Sequence, residues 1–511
     1  MAKLENSNVM NVAKNGFFSA AYQLSMMLIN LVTRSFFLQY FGVEILGINS
    51  TFTSILNTLS LAEMGFQTAI IFHLFEPLEN KKYEKINEIM NIYRIVYNFI
   101  ALFILIASIC ILPLLPNILN NVTVNFEIYF FFLLQSLNTV FSYICSYKRT
   151  LLFADKKDYV CKIIDTFINL LFSILRIFSI FLFTDYTLYL LLFILQTILS
   201  NILVHSYCRR NYSFLIKKSI NLQLFKKIFV SVKDVFAAKI SNYVYSSTDN
   251  IIISSMVGAT AVGYLVNYTT IILQLKSLIS LLLNPIIPII GRSLVNNKDE
   301  IKTEQQFRTI TFFRFILTLI IVLPCAVLLN MFIKIWIGPN FILEDFTILL
   351  LIIDFYISII YAPCYEYLNA GGYFKIEKKA MLIAAILNIV LSIAFTFYIG
   401  LNGVLVGTVI TQIFLWLYRS ALLYENCFNK IRKVFVLYWK EQLFYIMFFL
   451  VLCLILSYLC GIICIENQVL NFVVCGFLCE ILTLILFIVF FCKSEYSVSL
   501  KSVITSLFLK K

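Results

Sequence analysis

The chain has 511 residues, 61% of them hydrophobic and 13% charged, with a formal net charge of +13. Soluble chains average about 25% charged residues, so this chain holds too little polar material to coat soluble domains, and a bilayer must solvate most side chains. The positive charge does not point to nucleic acid, because it is dispersed over eight connecting segments, as membrane topology requires.

A spanning helix needs roughly 20 mostly apolar residues, since hydrocarbon offers no partner to bare backbone groups. Windows of that kind predict an all-α integral membrane protein of about fourteen helices, at 16–39, 46–72, 92–114, 126–147, 161–183, 187–207, 238–257, 262–290, 309–333, 346–369, 380–399, 403–424, 440–462 and 469–491. The segments 1–15, 73–94, 148–162, 208–239, 291–314, 370–380, 419–440 and 492–511 hold 36 of the 40 Lys and Arg, which predicts cytoplasmic N- and C-termini. The first span is too long for a signal sequence and should stay uncleaved. Thirteen cysteines include no metal-like pair, and most fall within spans as small hydrophobes, so no structural disulfide is expected.

In chain order, the first span places Ser19, Gln23, Asn30 and Arg34 on one helical face. The second carries a stripe of Asn49, Thr53, Asn57, Ser60, Glu63 and Gln67. The fifth carries Asp165, Asn169, Ser173 and Arg176 on one face, and the seventh Asn242, Ser246 and Asp249. In the eighth, Lys276 points almost opposite Gln274, which shares a stripe with Asn267, Thr270 and Ser277. Single Asn, Ser and Thr residues are accounted for by interhelical hydrogen bonds of about 0.6 kcal/mol each. A six-residue stripe with a carboxylate is different. Lipid cannot face it, so it predicts a hydrated cavity. Arg176 has two readings, toward that cavity or snorkelling outward. Lys276 also has two, because its helical face and its repeat position disagree.

The repeat matches Phe41-Gly42-Val43-Glu44-Ile45-Leu46-Gly47 to Val257-Gly258-Ala259-Thr260-Ala261-Val262-Gly263, 216 positions on. The same offset carries Ala154-Asp155 onto Ala370-Gly371, and Lys276 onto Ser60 of the stripe. Six spans separate the copies, which predicts two six-helix lobes in a parallel repeat with a substrate site between them. The expected division is 1–222, with a linker from 208, then 223–439, then a helix pair and tail at 440–511. No phosphate-binding loop and no paired acidic motif occur, and His73 and His205 are the only histidines. This leaves a secondary or facilitated transporter without cofactor, not an enzyme, with coupling to Na⁺ or H⁺ open.

Arg34-Ser35-Phe36-Phe37-Leu38-Gln39-Tyr40-Phe41-Gly42, Gly47 and Leu61-Ala62-Glu63-Met64-Gly65-Phe66 resemble the first two helices of bacterial Wzx-type polysaccharide flippases. These belong to the multidrug/oligosaccharidyl-lipid/polysaccharide exporter superfamily. Thr248-Asp249-Asn250-Ile251-Ile252-Ile253-Ser254 with Val262-Gly263-Tyr264 is similar to that family's seventh helix. The resemblance implies a bacterial inner-membrane protein that moves undecaprenyl-diphosphate-linked oligosaccharide between leaflets by alternating access, for O-antigen or capsule synthesis. It also implies pathway glycosyltransferases and a polymerase as partners. Arg34, Asn30, Gln23, Asn57, Glu63, Asp249, Asn250, Lys276 and Arg176 are the candidate substrate-binding residues. A drug or metabolite exporter of the same superfamily is the alternative. A membrane oligosaccharide polymerase or ligase fits less well, because the outward loops are short and nearly uncharged.

Overall fold

The computed structural model describes residues 2–63, 65–144, 146–216, 223–226, 228–230, 232, 248–283, 290–291, 294, 300–428, 432–463 and 465–491. Every regular element among them is a helix. The first stretch holds α1 (Ala2–Leu59), α2 (Phe66–Glu79), α3 (Tyr83–Ile111), α4 (Phe126–Ile144), α5 (Tyr147–Ala154), α6 (Asp158–Phe183) and α7 (Tyr186–Asn211). Next come α8 (Asp249–Met256), α9 (Ala259–Leu283), α10 (Glu300–Leu317), α11 (Leu323–Trp336), α12 (Asp345–Ile360) and α13 (Ala362–Ala370). The last are α14 (Phe374–Ile399), α15 (Leu401–Asn426), α16 (Arg432–Ile462) and α17 (Gln468–Phe491). The chain divides into two compact units, Met1–Gly263 and Tyr264–Lys511, with the boundary inside α9.

Among the described residues, ten helices are long and apolar enough to cross a membrane, or eleven if α4 and α5 form one bent span. This is a multi-pass membrane protein. The helix expected at 238–257, with Asn242 and Ser246, lies mostly outside the described residues, as does the end of 262–290.

The two spans expected at 16–39 and 46–72 form one nominal helix that is broken at Gly42, with φ 78° and ψ 177°. Only glycine adopts such a backbone without strain. Asn15 donates from Nδ2 to the Lys156 carbonyl at 3.0 Å. Leu59 packs on the cluster that contains Leu151 and Leu152. The nominal helix is therefore two limbs that meet at a kink at Gly42. The second limb is shorter than expected. It tightens into a 3₁₀ turn at Ser60–Glu63, and Gly65, at φ 104°, separates it from α2. The stripe is thus continuous only from Asn49 to Asn57, and exposed Gln67 begins another helix.

One helix of unit 1 carries its polar residues inward and its apolar residues outward, the reverse of a helix in a soluble protein. On α6, Asn169, Ser173 and Arg176 are buried, while Phe167, Ile174, Phe178 and Phe181 are exposed. Hydrocarbon accounts for that inversion, since lipid solvates phenylalanine and leaves polar groups to pair internally. Val43–Gly47 crosses Ala259–Gly263 so closely that a Cβ on Gly47 would lie 1.7 Å from the Ala259 carbonyl oxygen. A Cβ on Gly263 would lie 2.1 Å from that of Val43. In unit 2, Phe307, Phe312 and Phe315 of α10 are fully buried and pack on the rings of Tyr438, Phe491 and Tyr445, respectively, of α16 and α17. A π turn at Thr318–Val322 joins α10 to α11, ahead of Pro324.

Candidate substrate cavity in the N-terminal unit

Asn49, Thr53 and Asn57, one turn apart on the second limb of α1, form one wall of a cavity of about 200 Å³. Gln135, Asn138 and Thr139 of α4 form a second wall, and Leu190 and Phe193 of α7 a third. Gln135 donates its amide to Asn49 Oδ1, and the Tyr186 hydroxyl donates to the same oxygen at 3.2 Å. Thr197 donates to Asn138 Oδ1 at 2.6 Å. The lining amides are thereby held in fixed orientations, with remaining N–H and C=O capacity to offer a hydroxyl-rich solute.

Behind the Phe193 wall sits a cation. The Arg176 guanidinium lies 3.8 Å from the Phe193 ring centroid and donates to Gln196 Oε1 at 2.6 Å and Ser173 Oγ at 2.9 Å. It is buried within unit 1 and does not reach outward to lipid headgroups. Arg34, half-buried on the first limb of α1, lies within electrostatic reach of Tyr189, whose ring also neighbours Arg176. On the same limb Gln23 is half-buried and Asn30 exposed.

Glu63 stands apart from this group. It accepts from Tyr97, whose hydroxyl is 2.5 Å from that of Tyr93, and Tyr93 in turn meets Thr150 Oγ1 at 3.0 Å. Asn250 donates to Ser54 Oγ at 3.1 Å, which ties the start of α8, with half-buried Asp249, to the second limb of α1. In unit 2, Lys276 Nζ pairs with Asp354 Oδ2 at 2.9 Å, and Gln412 donates to Asp354 Oδ1.

Some partners escaped the sequence reading. Arg149, counted there with a cytoplasmic connection, holds Asp165 through two bonds of 2.7 and 2.9 Å and also engages Ser200 and Asn201. Asp354, the partner of Lys276, had a readable signal, as a carboxylate near the middle of the apolar span 346–369. The pairs Arg314–Glu366 at 2.6 Å and Arg419–Glu377 lie near predicted boundaries and had none. Among the described residues, no group of three or more His, Cys, Asp or Glu is arranged to hold a metal.

The sequence family described as "Polysaccharide biosynthesis protein" matches residues 12–294, more than half of the chain. The chain belongs to that family. Its fold is shared with solved transporters. The inward closed lipid II flippase MurJ superposes at a TM-score of 0.66, with 17% identity over 92% of this chain and 98% of that one. An inward-facing multidrug resistance MATE transporter of the MOP superfamily gives 0.60 at 14% identity over 80% and 98%. The MATE multidrug transporter DinF-BH gives 0.58 at 14% over 83% and 96%. At these identities the likeness is one of fold. No curated protein matches the sequence. Membership in this polysaccharide family is what the first, second and seventh helices suggested.

Proposed function

We propose that this family member is a flippase that moves a lipid-linked oligosaccharide, joined through a diphosphate to a polyprenyl carrier, from the inner to the outer leaflet of a bacterial inner membrane. The observation that supports it most is a cavity walled by the amides of Asn49, Asn57, Gln135 and Asn138, with the Arg176 guanidinium against the ring of lining residue Phe193. A saccharide head needs amide donors and acceptors. A diphosphate needs a cation, and the planar fork of Arg pairs two phosphate oxygens at once. In this reading Arg34 is the diphosphate contact, and Gln23, Asn30 and Asn57 serve the sugar. Lobes 1–222 and 223–439 of a fourteen-helix chain rock in alternating access, with Glu63 and Asp249 setting charge balance or ion coupling. Asn250 and Lys276 line the path, and the pair at 440–511 guides the polyprenyl tail. The sugar chain then passes to a polymerase of the same pathway.

Proteoliposomes that contain the purified protein and a fluorescent undecaprenyl-diphosphate oligosaccharide test this directly. Protein-dependent exposure of label to an external quencher is expected, and a rate equal to that of empty liposomes would overturn the reading. The second reading, a drug or metabolite exporter, draws on the match to MATE structures over 96–98% of their lengths. Efflux of a cationic dye without lipid flipping would favour it.

A further inference from the structure

A second cavity of about 250 Å³ lies elsewhere in unit 1, between α3, α5, α7 and the segment at 212–216. Four basic side chains line it, Arg94, Lys148, His205 and Arg209, and among the described residues no carboxylate does, although Glu88 neighbours lining residue Asn87 in sequence. Lys148 is only 7% exposed, and its Nζ lies 3.2 Å from His205 Nε2. Lys148 and Arg209 both act electrostatically on that imidazole.

Topology alone explains basic residues at this end of the helices, but such residues normally remain solvated. Crowding cations into one pocket is costly, and a bound anion offsets that cost. The pocket is also built rather than loose. Asn87 receives the Ile216 N–H at 3.0 Å and donates to the Phe214 carbonyl, and Asn91 donates to the Ile216 carbonyl at 3.0 Å. These bonds seal one side with Leu215 and Ile216, so the cations share space with an apolar wall.

We infer that this pocket binds a phosphate-bearing anion at a site separate from the substrate cavity. Its basic lining suits a headgroup phosphate or free phosphate, whereas the cavity lined by Asn49, Asn57, Gln135 and Asn138 offers amides and no cation. Lys148 and Arg209 supply charge, and Arg94 supplies a planar fork for two phosphate oxygens. His205 Nε2, 3.2 Å from Lys148 Nζ, ties these two lining side chains to one another. The inference stands independently of the proposed substrate.

The test is binding to the full-length protein in detergent, followed by thermal shift and native mass spectrometry. Dioctanoyl phosphatidylglycerol, dioctanoyl phosphatidylcholine and inorganic pyrophosphate are the probes, with Arg94→Gln/Arg209→Gln as the variant. Saturable wild-type binding of phosphatidylglycerol, weakened roughly tenfold or more in the double variant, is expected. If pyrophosphate binds with the same dependence, the phosphate alone is recognised. If it does not, the site takes a lipid headgroup. Binding of neither anion, equal binding of phosphatidylcholine, or equal binding by wild type and variant would overturn the inference. Should the variant fail to fold, a diazirine analogue of phosphatidylglycerol on wild-type protein decides instead. Crosslinks within 87–94, 147–148 and 205–216 support the pocket, and crosslinks confined elsewhere reject it.

Discussion

Gly47 and Gly263 occupy reciprocal places in one helix crossing, each backbone filling the space where the other segment's side chain would stand. They are 216 positions apart, the offset of the sequence repeat, and the preceding glycines Gly42 and Gly258 both have positive φ. The repeat is therefore not only a register of letters. Its two copies touch through their own matching residues. Gly47→Ala or Gly263→Ala must displace backbone, and each should destabilise by about 1–3 kcal/mol, the usual range for overpacking. Gly461→Ala, which meets open space on a helix, should be neutral or slightly stabilising. Thermal unfolding in detergent compares the three, and unchanged midpoints for both crossing variants would show that the contact is not tight.

Arg34 carries the sharpest functional prediction. Arg34→Ala should reduce flipping at least tenfold at normal protein levels, because the diphosphate loses its bidentate partner. Arg34→Lys should restore part of the rate, since it keeps the charge without the fork. Wild-type flipping by Arg34→Ala in proteoliposomes would remove Arg34 from the mechanism.

Lys276 and Asp354 should behave as a pair. Their side chains are 26% and 22% exposed. Lys276→Met or Asp354→Asn alone should therefore cost about 2 kcal/mol, less than the ~3–5 kcal/mol of breaking a fully buried pair. The double variant should recover much of that loss. Additive losses in a double-mutant cycle of unfolding midpoints would mean that the two charges are not coupled.

Glu63 and Asp249 are the candidates for ion coupling. Glu63→Gln keeps an acceptor for Tyr97, so it should bind substrate yet lose any acceleration by an imposed pH gradient. Asp249→Asn separates two outcomes. Loss of gradient dependence alone makes it a proton carrier, and general loss of transport makes it a structural counter-charge. Flipping rates measured with and without the gradient discriminate. Rates equal to wild type in both variants would leave both carboxylates structural.

Topology is checked by cysteine accessibility in intact cells. Residues 208–237 and the C-terminus should react only after the cytoplasm is opened, and residues 115–125 without it. A C-terminus labelled from outside would exclude an even number of spans.

The class of this protein was written in its hydropathy and its basic residues, since the bilayer imposes both over twenty-residue lengths. The Asn49–Asn57 stripe and the inward faces of α6 were legible for a related reason. Polar residues at helical spacing within apolar helices have nowhere to point but inward. What could not be read was pairing. Arg149 looked like ordinary topology signal until its fork met Asp165, and nothing in local sequence connects α5 to α6 in that way. The continuation of the stripe through Glu63 and Gln67 was misjudged, because periodicity assumes an unbroken α-helix, and this one tightens into a 3₁₀ turn at Ser60 before Gly65 separates it from α2.

Arg176 behind Phe193 has one more consequence. A guanidinium screened by an aromatic ring, with two nitrogens already donating, exerts its influence on the cavity as a potential rather than as a contact. In a medium of low dielectric such a potential reaches several ångströms and is little weakened by salt. It sorts visitors by the sign of their charge before any hydrogen bond discriminates among their shapes. A change of sugar would then leave this filter untouched, whereas a change of linkage from diphosphate to a neutral group would not.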